Sequence, residues 1–181
     1  MAHGRSVGHV VFILTHTTQF CYSGSFEVLN VRICSRVFSR GFDIGTPVES
    51  LFARRVPLSP TGEILISNPS GNQIARLELE SFLSSVYNII ISGGGFYQFG
   101  RDDKSRRTWT CKGEEKLLRI SERNKRRYFI SDGAEEIADG SKAWLANDYA
   151  IRVRKDADLK LVVCIFIALS VCEDETSFTP M

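Results

Sequence analysis

Clustered cations interleaved with aromatic rings are the part of this sequence best suited to chemistry. Arg101, Lys104, Arg106 and Arg107 surround Trp109, while Arg119, Arg123, Lys125, Arg126 and Arg127 lead into Tyr128 and Phe129. Such a pattern suits phosphate, a lipid headgroup or nucleic acid, because the cations supply attraction and the rings supply a stacking or interfacial surface. The attraction is local: residues 101 to 127 hold eleven Lys and Arg against five Asp and Glu, whereas the chain as a whole has a net charge of +2, too small for steering by the whole molecule. A solvated face that keeps exposed strands from pairing with other molecules is the bland alternative, since lysine and arginine commonly serve that purpose.

Catalytic chemistry has little to draw on. The three histidines, His3, His9 and His16, all lie in the first sixteen residues, so a Ser-His-Asp or Cys-His site would have to recruit the N-terminal arm. Five cysteines, Cys21, Cys34, Cys111, Cys164 and Cys172, cannot all pair and include no C-x-x-C. Reduced thiols and a cytosolic setting are therefore expected, with Cys164 and Cys172 acting as small hydrophobes in an apolar run. Gly93-Gly94-Gly95 lacks the Gly-Lys-Ser/Thr of a phosphate loop and reads as a hairpin tip. Adjacent carboxylates at Glu114-Glu115 and Glu135-Glu136 would point to opposite faces of a strand. Lys155-Asp156-Ala157-Asp158 offers too few oxygens for calcium. No catalytic residue, metal or cofactor is expected, and the anion-binding candidates are Arg101, Lys104, Arg106, Arg107, Arg123, Lys125, Arg126 and Arg127.

The elements that must hold these residues are mostly strands. With 181 residues and 43% hydrophobic content, the chain can form one continuous core, and no Pro/Ser/Gly-rich linker divides it. A single domain over 1–181 is expected, with 1–25 as an N-terminal arm or first strand; Val7 to Leu14 reads as an edge strand, because His9 interrupts it and no small-x-small cleavage site follows. Branched and aromatic runs such as Phe26 to Ile33, Glu63 to Ile66, Tyr87 to Ile91 and Tyr149 to Val153 are separated by turn chemistry at Asn68-Pro69-Ser70-Gly71-Asn72 and Asp132-Gly133. Ile66, Ser67, Asn68, Ile74, Ala75, Phe82, Leu83, Tyr87 and Ile89 match Ile130, Ser131, Asp132, Ile137, Ala138, Trp144, Leu145, Tyr149 and Ile151 in order. This repeated three-strand meander predicts a closed antiparallel barrel or a sandwich, with Trp144 in a packed corner. Leu161 to Cys172 is apolar all round, bracketed by Asp156 and Asp158 before it and by Glu173, Asp174 and Glu175 after it. As a helix it would span about 18 Å against about 30 Å of bilayer hydrocarbon, so it predicts a helix enclosed by the barrel with acidic ends projecting from the mouths.

The segments from Ile66 to Ala75, from Tyr128 to Gly133, Ile137-Ala138, Lys142-Ala143-Trp144 and Asp158 to Asp174 resemble the LURP-one-related proteins. Their domain is similar to the tubby C-terminal domain and, more distantly, to phospholipid scramblases. The resemblance covers residues 58 to 175 and implies a mainly β, twelve-stranded closed antiparallel barrel around a hydrophobic C-terminal helix. Residues 1 to 57 match it poorly. Tubby domains bind phosphoinositides at the cytosolic face of membranes, so the resemblance implies a non-enzymatic binding or scaffold protein, cytoplasmic and at most peripheral at a membrane. Its expected partner is a phosphoinositide or other anionic lipid, or a protein; nucleic acid is the least expected. A scramblase-like lipid translocator, a small-ligand-binding barrel, and an intracellular protein-interaction module in a stress or defence response are the alternatives it leaves open.

Overall fold

A computed structural model describes residues 28–36, 41–81, 84–102, 105, 107–124, 126–143 and 148–176. Twelve strands precede one helix: β1 (Val28–Arg36), β2 (Gly41–Gly45), β3 (Ser50–Arg55), β4 (Ile64–Ser67), β5 (Gln73–Leu79), β6 (Tyr87–Ile91), β7 (Phe96–Arg101), β8 (Thr108–Lys112), β9 (Leu117–Asn124), β10 (Arg127–Asp132), β11 (Glu135–Lys142), β12 (Tyr149–Arg154) and α1 (Leu159–Thr176). Each strand pairs antiparallel with its neighbour in sequence, and β12 pairs with β1 to close the ring. Closure leaves no strand edge to template aggregation.

Alternation along each strand decides which side chains fill the lumen. Val31 and Ile33, Leu51 and Ala53, Ile64 and Ile66, Ala75 and Leu77, Ile151 and Val153 point inward and are buried, while Arg32, Arg54, Arg76, Arg119 and Arg152 take outward positions between them. Apolar inside and charged outside is the reverse of a lipid-spanning barrel. Among the described residues no helix is long and apolar enough to cross a membrane.

The predicted repeat is the meander β4–β5–β6 and its counterpart β10–β11–β12. The two lie six strands apart in a ring of twelve, hence on opposite walls. Both carry a register shift at the same point, between Ile66 and Ser67 in one and between Ile130 and Ser131 in the other. Their turns also follow the sequence chemistry: the Asn68 side chain accepts from the Asn72 amide at 2.9 Å, and Gly71 and Gly133 adopt positive φ. The predicted corners at Phe82-Leu83 and Trp144-Leu145 lie outside the described residues, as do the N-terminal segment with its three histidines and Cys21.

Helix α1 fills the lumen, with every residue from Leu161 to Val171 buried. Asp158 caps its start, accepting from the Leu161 amide at 3.1 Å. Phe166 packs on Tyr149 with ring centroids 5.4 Å apart, and on the bare backbone of Gly140, where a Cβ would meet the ring at 2.4 Å. The hydroxyl of Ser170 is fully buried with no hydrogen-bond partner among the described residues. Ser170→Ala is therefore expected to raise stability by about 1 kcal/mol in urea denaturation; a loss of that size would mean the hydroxyl is satisfied in solution.

Burial also decides the thiols. The pKa of Cys111 is pushed up to about 12 by loss of solvent, and that of Cys164 is raised in the same way. Cys172 differs from expectation: it is half-buried, because the helix emerges from the barrel at its last turns. A thiol reagent should leave Cys111 and Cys164 untouched until the protein is denatured and should reach Cys172 and Cys34 in the native state. Rapid native labelling of Cys164 would overturn the enclosed helix.

Candidate anion-binding surface

Strand direction sorts the turns into two mouths. The β1–β2, β3–β4, β5–β6, β7–β8, β9–β10 and β11–β12 turns share one mouth, and the remaining turns share the other. Because α1 follows β12, the helix begins at the second mouth and ends at the first. Both basic hairpins, β7–β8 and β9–β10, open at the mouth where the helix ends, and they are neighbours because β8 pairs with β9. The Glu122 amide donates to the Arg107 carbonyl at 2.9 Å, which ties the tip of one hairpin to the other.

Arg101 closes β7, and Arg107 precedes β8 on a turn held by Asp102 N–H to the Thr108 carbonyl at 2.9 Å and by the Ser105 side chain. Arg123 lies near the end of β9, Arg126 sits in the tight turn, and Arg127 opens β10. Arg101, Arg107 and Arg123 are exposed, whereas Arg126 and Arg127 are half-buried. Arg101 lies 5.6 Å from the Trp109 ring centroid and Arg123 lies 4.2 Å from that of Phe129. These cation–ring contacts help fix the two guanidinium groups in place. Arg123 also approaches Glu136 at 3.7 Å, yet its side chain remains 65% exposed. Lys104, Arg106 and Lys125 lie outside the described residues.

A second group, absent from the sequence reading, closes the same mouth from within. Glu173 stands in the last turns of α1, where a carboxylate opposes the helix dipole. Instead of projecting it folds back, accepting hydrogen bonds from Tyr128, from Lys142 Nζ at 2.5 Å and from Tyr149 at 3.3 Å. Burial raises the Tyr128 phenol pKa, and the bond to Glu173 and the charges of Glu173 and Glu122 raise it further. Trp109, Tyr128, Tyr149 and Phe166 form a file of rings, the first two contacts edge-on and the third tilted, with successive centroids 6.0, 6.0 and 5.4 Å apart, reaching from the Arg101 hairpin to the middle of the helix. Only the acidic residue at the C-terminal end of an apolar helix could have pointed to this cluster in advance.

The other candidates lie at the opposite mouth. Glu114 and Glu115 are exposed on the β8–β9 turn of the opposite mouth. Glu135 is bonded to Arg154 at 2.8 Å. Among the described residues no three His, Cys, Asp or Glu side chains gather to hold a metal ion. Gly93, Gly94 and Gly95, at φ of 97°, 112° and 142°, form a hairpin tip closed by the Ile91 amide to the Gly95 carbonyl at 2.9 Å. With Asp158 and Lys160 the tip borders a surface groove of about 420 Å³ beside the start of the helix.

No family model matches the chain, and no curated protein matches it. An X-ray structure of a protein from Arabidopsis thaliana is similar in fold, with a TM-score of 0.58, 10% sequence identity, and coverage of 82% of this chain and 91% of that one. At that identity the likeness concerns the arrangement of strands and helix alone.

Proposed function

We propose that this protein is a non-enzymatic, tubby-like binding protein of the LURP-one-related kind, docking an anionic membrane surface with the mouth at which α1 ends. One observation carries the reading: two adjacent hairpin tips present Arg101, Arg107 and Arg123 to solvent from the same mouth, two of them braced on aromatic rings. Two carboxylates at this mouth are engaged elsewhere, Glu173 with Lys142 and Asp148 with the Ser35 amide at 2.8 Å, and Glu136 at 3.7 Å from Arg123 leaves that side chain 65% exposed. A lipid translocator or small-ligand barrel finds less support, since the inward positions carry apolar side chains packed on the helix.

Sedimentation with equimolar phosphatidylserine and phosphatidylcholine vesicles, with and without phosphoinositide, tests it. Binding is expected at low salt and should weaken as salt rises, because screening limits exposed charges to about 8 Å at physiological ionic strength. Failure to sediment at low salt would overturn the reading and leave the arginines as a solubilising face.

A further inference from the structure

The β3–β4 turn contains a leucine that the fold does not use. Val56, Pro57, Leu58 and Ser59 form a tight turn closed by the Ser59 amide on the Val56 carbonyl at 3.4 Å. Leu58 has φ of 59°, the sole positive value at a non-glycine among the described residues. With proline before it, this is the position of a type II turn that glycine or asparagine fills without strain. The Leu58 side chain is also completely exposed, at 102% of its reference area. A leucine here therefore meets both backbone strain and water, and no contact within the barrel offsets either.

Its surroundings indicate what would cover it. The β3–β4 turn opens at the same mouth as the basic hairpins, across the ring from β9–β10, six strands away. Arg54 and Arg55 end β3 immediately before it, and neither forms an ion pair with another described residue. Glu63, the carboxylate beyond the turn, is engaged by Arg76 at 3.6 Å. The turn itself is stiff, because two prolines flank Leu58, the Val56 amide donates to the Glu63 carbonyl at 2.8 Å, and the Ser59 side chain accepts from the Glu63 amide at 3.1 Å. A rigid apolar tip backed by two arginines matches an anionic bilayer, whose headgroups take the cations while the side chain enters the acyl boundary.

We infer that Leu58 is a membrane-inserting anchor, the apolar counterpart on one side of the mouth to the arginine hairpins on the other. The inference rests on the membrane-docking reading above. Leu58→Asn keeps a residue that tolerates positive φ and removes the apolar group, so it should fold with a melting temperature no lower than that of wild type. It should also lower partition onto phosphatidylserine and phosphatidylcholine vesicles by at least about tenfold. Leu58→Trp should partition at least as well as wild type and give a blue shift of emission on vesicles larger than any change the wild-type protein shows under the same conditions. If Leu58→Asn binds like wild type while reversing the hairpin arginines abolishes binding, or if vesicle-bound Leu58→Trp shows no shift, insertion is overturned and docking stands. If the wild type binds no vesicles, docking and insertion fall together.

Discussion

Phe166→Ala is expected to destabilise the protein by about 3 to 5 kcal/mol, a large part of the stability of an ordinary domain. The ring is fully buried at the middle of a helix that is itself enclosed, with Tyr149 on one side and Gly140 on another. Twelve strands joined edge to edge cannot close in on the vacated space, because the ladder from β1 round to β12 fixes the circumference. The cavity should thus persist at nearly its full volume. The converse change, Gly140→Ala, places a methyl where the ring already lies and should cost about 1 to 3 kcal/mol through overpacking. Combined in one chain, the two should cost less than their sum, since Phe166→Ala makes room for the new methyl, which in turn fills part of the cavity. Urea denaturation of the two single variants and the double variant measures this. A wild-type midpoint for Phe166→Ala would show that the helix does not plug the barrel in solution.

Changing Arg101, Arg107 and Arg123 together to glutamate should abolish binding to anionic vesicles. Each arginine near such a surface contributes on the order of 1 kcal/mol, so losing three removes roughly 3 kcal/mol, more than a hundredfold in affinity, before the added repulsion of the new carboxylates. These three, rather than the half-buried Arg126 and Arg127, are the residues to reverse. The Lys142 amide donates to the Arg126 carbonyl at 2.8 Å, and the side chains of Arg126 and Arg127 are partly covered; charge reversal there would disturb the wall as well as the surface. Exposed pairs such as Arg123 with Glu136 are worth at most about 1 kcal/mol, so the triple variant should keep nearly the wild-type melting temperature. Undiminished sedimentation of a folded triple variant would take the docking surface away from these hairpins.

Much of this architecture was legible in the chain because its signals are local. Inward and outward alternation repeats every two residues, so strands such as Tyr87–Ile91 and Tyr149–Arg154 reveal their buried faces without any knowledge of their neighbours. Turns at Asn68 to Asn72 and at Asp132-Gly133 depend on a few adjacent residues. A run of apolar residues with no polar face can only be an enclosed element, which identified α1 and, with the repeated meander, a barrel around it. The cationic, aromatic-flanked composition of both hairpins was likewise written in consecutive residues.

Tertiary structure alone decided how those pieces act together. That both arginine hairpins share a mouth, and that Leu58 shares it with them, follows from the order and closure of the ring, which relates residues scores of positions apart. Whether Arg123 is presented and Arg126 partly covered depends on partners supplied by β10 and β11. Glu173 reads as a projecting acid in sequence; it turns inward because Tyr128, Lys142 and Tyr149, on three different strands, converge where the helix ends. Sequence thus set the local alternation, turns and apolar content, which arise from interactions among near neighbours. The exposure, pairing and pKa of individual side chains depend on distant segments brought into contact, and only the closed barrel fixes those distances.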